Sequence, residues 1–216
     1  MNKTIVSSLY LKQIQAGPME NFVYLIGDTQ TRECVMVDPA WEVDQILEIA
    51  AKDDMKVVGG LVTHYHHDHI NGVPYLLGRT KSKVYIHKSE GPYLKGMKND
   101  LEFVDSGFKL KVGAIEIEFL HTPGHTPGSQ CFLVNGNLVS GDTLFINACG
   151  RCDLPGGDVA TMYESLQRLG KLPEATVLLP GHNYADEPTS TIGQEKKNNP
   201  YYQFRSVQDF LGMRMG

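Results

Sequence analysis

The stretch Thr63-His64-Tyr65-His66-His67-Asp68-His69 contains four of the eight histidines of the chain. Histidines that only pack in a core are usually scattered, whereas neutral imidazoles clustered beside a carboxylate are suited to binding metal. In an extended loop, His64 and His66 can point to the same side and bind one ion, while Asp68 and His69 can face a second. This spacing differs from the i, i+4 histidine pair of helical zinc-protease motifs. The stretch therefore predicts a metal site built on a loop.

Three other apolar segments have the same design, because each leads to a residue that commonly binds metal and lies beside a glycine. Residues 117–120 lead to His125, residues 138–141 to Asp142 and residues 177–181 to His182, just as residues 60–63 lead to His64. Loops at strand ends gather at one edge of a sheet, so we expect these side chains to meet.

The complete set of candidate ligands has five imidazoles and two carboxylates. One zinc ion needs three or four ligands, so seven suit two ions about 3.5–4 Å apart that share a carboxylate. Nitrogen and oxygen donors without an obligatory thiolate admit zinc, iron or manganese. We expect two divalent metal ions, with zinc as the first choice. We assign His64, His66 and His125 to the first ion, Asp68, His69 and His182 to the second, and Asp142 as the bridge.

The rest of the chain alternates strand-like and helical patterns, which predicts an α/β domain of mixed sheets covered by helices. Without a linker or a repeat, we expect a single domain over residues 1–216. The predicted strands are 4–14, 21–27, 33–37, 55–63, 83–87, a hairpin over 108–120 that turns at 112–113, 130–134, 137–140 and 176–179. The predicted helices are 41–52, 158–169 with Asp158 as its cap, and most of the chain after 189 with a break at 199–200.

Composition and charge exclude several classes of protein. The net charge is 20 − 25 = −5, which argues against a nucleic-acid binder. No apolar run approaches the roughly 18 residues that a membrane span needs, and the first residues lack a secretory pattern. We therefore expect a cytoplasmic protein with reduced thiols. Cys149 and Cys152 form a C-x-x-C pair, for which packing is favoured over a redox or zinc role.

Taken in order, four motifs resemble those of the metallo-β-lactamase superfamily from about Asn21 to the end of the chain. They are His64 to His69, Pro123-Gly124-His125-Thr126-Pro127-Gly128, Ser140-Gly141-Asp142-Thr143 and Pro180-Gly181-His182. The resemblance implies an αββα four-layer sandwich, in which two mixed β-sheets are flanked by helices and the metals lie at one edge between the sheets. True β-lactamases differ around these loops, and RNA-processing members carry basic additions that this acidic chain lacks.

Two further motifs are similar to a particular part of that superfamily. Gly150-Arg151-Cys152-Asp153-Leu154-Pro155-Gly156-Gly157-Asp158 and the stretch 190–195, followed by Asn199-Pro200, resemble short glyoxalase II (hydroxyacylglutathione hydrolase) proteins and persulfide dioxygenases. The first branch hydrolyses a glutathione thioester with two metals. The second oxidises glutathione persulfide with one iron held by two histidines and an aspartate. Only 34 residues follow His182 (216 − 182), so the basic helical domain with which full-length glyoxalase II enzymes bind glutathione is not expected here.

We expect a metal-dependent hydrolase that cleaves a thioester such as a hydroxyacylglutathione. Two metals would lower the pKa of a water toward neutrality, and Asp68 would orient the resulting hydroxide as a catalytic group. Tyr184 aligns with a substrate-contacting tyrosine of glyoxalase II. Arg151 is a second candidate for substrate contact, with an ion pair to Asp153 or Asp158 as the equally weighted alternative.

Three other functions stay open at this point. They are a mononuclear-iron dioxygenase acting on glutathione persulfide, a lactone or ester hydrolase, and a non-catalytic metal-binding scaffold, although a scaffold would be expected to have lost a ligand. The expected partner is a small-molecule thiol ester or persulfide, with no nucleic acid and no membrane, and a homodimer is compatible with the sequence.

Overall fold

The first half of the chain forms a six-stranded mixed sheet in a computed structural model that describes residues 8–93 and 101–215. The strand order is β1-β2-β3-β4-β5-β6, antiparallel from β1 to β3 and parallel from β3 to β6. The strands are β1 (Leu9–Ala16), β2 (Asn21–Asp28), β3 (Glu33–Val37), β4 (Lys56–Leu61), β5 (Lys83–His87) and β6 (Leu101–Val104).

The second half forms another six-stranded mixed sheet and one small ribbon. The new strands are β7 (Lys109–Val112), β8 (Ile115–His121), β9 (Gln130–Val134), β10 (Asn137–Gly141), β11 (Leu144–Phe145), β12 (Ala148–Cys149), β13 (Val177–Pro180) and β14 (Ser190–Thr191). The sheet order is β14-β13-β10-β9-β8-β7, in which only β10 and β13 are parallel. Strands β11 and β12 pair with each other.

Helices cover the outer face of each sheet. They are α1 (Val43–Lys52), α2 (His67–Ile70), α3 (Val73–Arg79), α4 (Val159–Leu169), α5 (Ile192–Asn198) and α6 (Val207–Met215), with 3-10 turns at Lys88–Tyr93 and Pro200–Tyr202. In the two described ranges, none of these helices has the length and apolar character needed to cross a membrane.

Three apolar cores separate the four layers. Residues 22, 24 and 26 of β2 pack between the two sheets, while residues 23 and 25 point to the core under α1 and α3. All eight residues of β2 are buried, because this strand is covered on both faces. A third core joins the second sheet to α4, α5 and α6. The layers confirm the expected αββα sandwich of two mixed sheets.

Most of the expected elements are present, with shifted ends. Helix α1 begins at Val43 rather than at residue 41, because Trp41 has a φ of 55° that a helix does not admit. Asp158 caps α4 as expected, since its side chain accepts a hydrogen bond from Thr161 N at 2.7 Å. The short elements α2, α3, β6, β11, β12 and β14 were not predicted. The start of the first predicted strand, residues 4–7, lies outside the described residues.

Candidate metal centre

Four strand ends deliver potential ligands to one edge between the two sheets. His64 follows β4, His125 follows β8, Asp142 follows β10 and His182 follows β13. The approach to the site is tight at Gly141, just before Asp142, where φ is +50° and a Cβ would lie 2.6 Å from the side chain of Thr63. A glycine is needed there because it alone admits this backbone and this contact easily.

The loop that carries the remaining candidates is partly helical, in contrast to the fully extended loop expected from the sequence. Residues 64–66 are not helical, but α2 starts directly after them and contains Asp68 and His69. His69 is fully buried, and its Nε2 lies 3.3 Å from Oδ2 of Asp68. One helical turn therefore places both side chains beside His182, whose Nε2 lies 3.4 Å from Asp68 Oδ2 and 3.2 Å from His69 Nε2.

The structure brings all seven candidate ligands into one cluster. Three groups have ligand atoms that all lie within 4.8 Å of one another. The groups are His64, His66 and His125; Asp68, His69 and His182; and His64, His69 and Asp142. The first two are the trios assigned from the sequence. Asp142 lies between them, because Oδ1 is 3.4 Å from His69 Nε2 and Oδ2 is 3.6 Å from His125 Nε2 and 3.4 Å from His182 Nε2.

Hydrogen bonds at Nδ1 orient four of the five imidazoles. Each of these four rings has an oxygen acceptor on that side, which fixes the ring and leaves the Nε2 lone pair for another ligand. The pairs are His64 with Thr63 Oγ1 at 2.9 Å, His69 with Asp38 Oδ2 at 2.9 Å, His125 with Arg151 O at 2.6 Å and His182 with Met19 O at 2.8 Å.

Buried polar atoms without hydrogen-bond partners fit a metal in this cluster. His64 Nε2, His125 Nε2 and Asp142 Oδ1 are buried and lack such a partner among the described residues. An unpaired buried polar atom costs free energy and calls for an explanation. All three belong to the groups above, and imidazole nitrogen and carboxylate oxygen are donors that zinc, iron and manganese accept.

The imidazoles of the first trio are in the state that a metal requires. Burial lowers the pKa of His64 well below its ordinary value and the pKa of His66 to about 4. Burial also lowers the pKa of His125. All three are therefore neutral near pH 7, with lone pairs ready to bind metal.

The second trio, together with Asp142, attracts positive charge. Burial alone would lower the pKa of His69 and of His182, but the carboxylate of Asp142 outweighs it and raises both, together with Asp38 in the case of His69. Burial would raise the pKa of Asp142, but the neighbouring imidazoles lower it to about 2. The pKa of Asp68 is also well below its usual range, because hydrogen bonds from His69 and Asn21 overcome the effect of burial. Protons on His69 and His182 therefore balance the charge of these carboxylates, and a metal cation would balance the same charge.

A cavity of about 670 Å³ opens onto this cluster. Its polar floor includes His66, His125, Asp142 and His182. Its other walls are largely apolar and include Met19, Phe145, Ala148, Cys149, Leu154 and Tyr184. A mostly apolar cavity with a few convergent polar groups is typical of a small-molecule site.

Both residues expected to contact substrate line the same cavity. Arg151 makes the ion pair that was the alternative reading, with its Nε and Nη2 at 2.7 and 2.6 Å from the two oxygens of Asp153. Tyr184 is 60% exposed and stacks on His182, with ring centroids 4.6 Å apart and an interplanar angle of 11°. Arg151 therefore forms an ion pair with Asp153 and also lines the cavity.

Three residues that sequence reasoning missed support the cluster from outside. Asp38 accepts from His69, Asn21 donates to Asp68, and Glu90 joins the loops that carry His64 and His125. All three are at most 3% exposed. Each sits in a loop or at a strand end, and buried polar residues there were the one signal that could have indicated them.

A two-sheet α/β sandwich with a histidine- and aspartate-rich centre at one edge, opening to a small-molecule cavity, defines a class of metal-dependent enzymes. The chain belongs to the metallo-beta-lactamase superfamily, whose sequence model matches residues 16–182.

Its relatives include proteins with different printed activities. It is 31% identical over 195 residues to the "Probable polyketide biosynthesis zinc-dependent hydrolase BaeB" of Bacillus velezensis, covering 90% of this chain and 87% of that one. It is 36% identical over 167 residues to the hydroxyacylglutathione hydrolase of Aeromonas hydrophila, covering 76% and 62% respectively.

A third relative is ETHE1, by sequence and by structure. The chain is 32% identical over 202 residues to the human mitochondrial persulfide dioxygenase ETHE1, covering 89% of this chain and 75% of that protein. The crystal structure of ETHE1 from Myxococcus xanthus superposes with a TM-score of 0.87 at 32% identity, covering 96% of this chain and 90% of the other. These relatives indicate an enzyme of this superfamily.

Proposed function

We propose that this protein is a metal-dependent thioester hydrolase that holds two divalent ions. The observation that carries the proposal is the presence of two separate ligand trios, His64, His66 and His125 against Asp68, His69 and His182, with Asp142 between them. One ion needs only three or four of these seven side chains. A second complete trio is difficult to explain for a single ion.

The ligands of the chain would bind the ions, and Asp68 would also orient the water. When bound, the ions supply an activated water and an electrophile for the substrate carbonyl. Asp68, whose Oδ2 faces His69 and His182, holds and orients the attacking water. The low pKa of Asp68 keeps it an acceptor across the physiological range. A thiolate is a good leaving group, so the site needs no strong general acid at the departing sulfur.

The cavity supports a thioester with an apolar portion and at least one anionic group. Phe145, Leu154 and Tyr184 offer apolar surface, and Tyr184 stacks beside the metal ligand His182. Arg151 offers charge at the same cavity. Its pair with Asp153 uses two of its five N–H donors, which leaves others for a substrate carboxylate. A hydroxyacylglutathione is one substrate of this class.

A single-iron persulfide dioxygenase is the second candidate. It is favoured by the 0.87 TM-score and 32% identity to an ETHE1 structure. In that reading, two histidines and one aspartate hold the iron and leave positions open. Esters and lactones are further hydrolase substrates that the same site would accept. We also place the protein in the cytoplasm, which is supported by four cysteines that are all buried and form no disulfide.

Metal analysis combined with two assays tests the proposal. Purified protein is analysed for zinc, iron and manganese, and then assayed for thiol release from a hydroxyacyl thioester and for oxygen uptake with glutathione persulfide. Two ions per chain with thiol release are expected. One iron per chain with oxygen uptake and no thiol release would reverse the order of the two candidates.

A further inference from the structure

The side-chain amide of Asn21 lies between the indole of Trp41 and the carboxylate of Asp68. Trp41 Nε1 donates to Asn21 Oδ1 at 2.8 Å. Asn21 Nδ2 in turn donates to Asp68 Oδ2 at 3.0 Å and to Asp68 O at 3.1 Å. We call these two residues, Trp41 and Asn21, the amide relay.

The indole determines which way the amide points. An indole N–H can only donate, so it must face the oxygen of Asn21 and not the NH2 group. The NH2 group is then directed at Asp68. A flipped amide would put its oxygen against the Asp68 carboxylate and its NH2 group against the indole N–H, so both hydrogen bonds would be lost.

Trp41 is held in place at a conformational cost. Its φ of 55° is unusual for a bulky residue, and such strain persists only where the surroundings impose it. Trp41 N donates to Asn71 Oδ1 at 2.7 Å. The ring packs on Gly17, where a Cβ would lie 2.3 Å from the indole, so a glycine is required.

Asn21 is fixed equally firmly beside the second trio. It is 1% exposed, begins β2 and forms a backbone bridge with His182. The oxygen that it binds, Asp68 Oδ2, is the one that lies 3.3 Å from His69 Nε2 and 3.4 Å from His182 Nε2. The first trio has other supports, since His64 is bonded to Thr63 and His125 to the carbonyl of Arg151.

We propose that Trp41 and Asn21 are positioning residues that hold Asp68 toward His69 and His182 and so set the metal affinity of the second position alone. The inference rests on the two-metal site of the proposed function. Residues that form hydrogen bonds to a metal ligand typically contribute about 10- to 100-fold to metal affinity. Trp41 is also the only tryptophan of the chain, so its fluorescence reports on this position.

Calorimetric zinc titration of the full metal-stripped chain tests the relay. We expect two binding steps in the wild type. Asn21→Ala should weaken one step by about 10- to 100-fold and leave the other unchanged. Trp41→Phe keeps an aromatic ring but removes the N–H donor, and should weaken the same step by a smaller factor. The matched control is Asn183→Ala, because the Asn183 amide bonds to Gln15 on the exposed side of the chain and should leave both steps unchanged.

Tryptophan emission gives a second readout, which a loss of general stability would not imitate. In the wild type, tryptophan emission should change during only one of the two zinc-binding steps, whether that step is the tighter or the weaker one. Asn21→Ala should abolish this change while circular dichroism stays that of the wild type. If Asn21→Ala does not fold, Trp41→Phe carries the calorimetric test.

Three results would overturn the relay. They are wild-type affinities in both variants, equal weakening of both steps, or a wild type that takes up only one zinc ion. An absence of thiol release in a wild type whose two zinc steps respond to the variants as described would contradict the proposed hydrolase activity and leave the relay intact, whereas uptake of only one zinc ion would contradict both.

Discussion

Nδ1 of His69 lies 2.9 Å from Oδ2 of Asp38, and both side chains are almost completely buried. The same carboxylate accepts from the backbone N and the Oγ1 of Thr63, each at 2.7 Å. Asp38 therefore connects the end of β3 to the start of the histidine-rich loop and fixes the ring of His69. Its three hydrogen bonds satisfy the oxygens of a carboxylate that is buried away from water.

Replacing Asp38 with asparagine should weaken metal binding. Only the oxygen of the Asp38→Asn amide can accept, while its NH2 group would face a donor, so the variant satisfies only part of this donor-rich pocket and the ring of His69 loses its carboxylate acceptor. We expect about a 10- to 100-fold loss of zinc affinity, measured by competition with a chromogenic chelator. The exposed Asp186→Asn is the control and should bind zinc as the wild type does. Wild-type affinity in Asp38→Asn would contradict this role.

His66 should be indispensable for turnover, while its neighbour should not be. His66 belongs to the trio with His64 and His125, whereas the exposed His67 belongs to none of the three groups. We expect His66→Ala to lose more than about 1000-fold in kcat/KM for thioester hydrolysis, which corresponds to about 4 kcal/mol. His67→Ala should lose less than threefold. Full turnover in His66→Ala would refute the assignment of the first trio.

The sequence was sufficient to predict the sandwich and the convergence of the candidate ligands. Apolar segments that lead to a histidine or an aspartate marked the strand ends at His64, Asp142 and His182, the last two directly after a glycine. The parallel pairing of β10 with β13 then brings the last two together at one edge. Long strands were predicted well, because both their pattern and their turn residues agreed with the fold.

The sequence did not predict the short elements or the residues that orient the ligands. Helix α2 has four residues and β11, β12 and β14 have two each, so none is long enough to show a period. Asn21, Asp38 and Glu90 lie 47, 31 and 38 residues from the partners that they bind, Asp68, His69 and Gly128. Such contacts arise from tertiary packing, and no local spacing in the sequence encodes them.

Arg151 should control the affinity for anionic substrates and not the chemical step. Arg151 lines the cavity and its guanidinium is paired with Asp153, so it would lie beside a substrate bound there. We expect Arg151→Ala to raise KM about tenfold for a thioester that carries a carboxylate, with kcat changed less than twofold. A neutral thioester of the same size should show no change in KM. A fall in kcat with an unchanged KM would instead place Arg151 in the chemical step.

Ionisation of Glu90 should make the protein less stable as the pH rises. Glu90 is completely buried and accepts hydrogen bonds from Tyr65 N at 2.9 Å, Thr126 Oγ1 at 2.7 Å and Gly128 N at 2.5 Å. Burial raises the pKa of Glu90 from 4.5 to about 7, although these donors oppose it. Between these two pH values the folded chain therefore binds more protons than the unfolded chain.

The free energy of unfolding consequently includes a Glu90 contribution that is complete below pH 4.5 and is lost as the pH rises to about 7. The slope is at most about 1.4 kcal/mol per pH unit. Glu90→Gln cannot ionise, so the stability of the wild type minus that of Glu90→Gln should fall by up to about 3 kcal/mol between pH 5 and pH 8. Urea unfolding of both proteins with a chelator present measures this difference. The exposed Glu164→Gln should give a difference that stays flat with pH, and a flat difference for Glu90→Gln would show that its carboxyl is already ionised at pH 5.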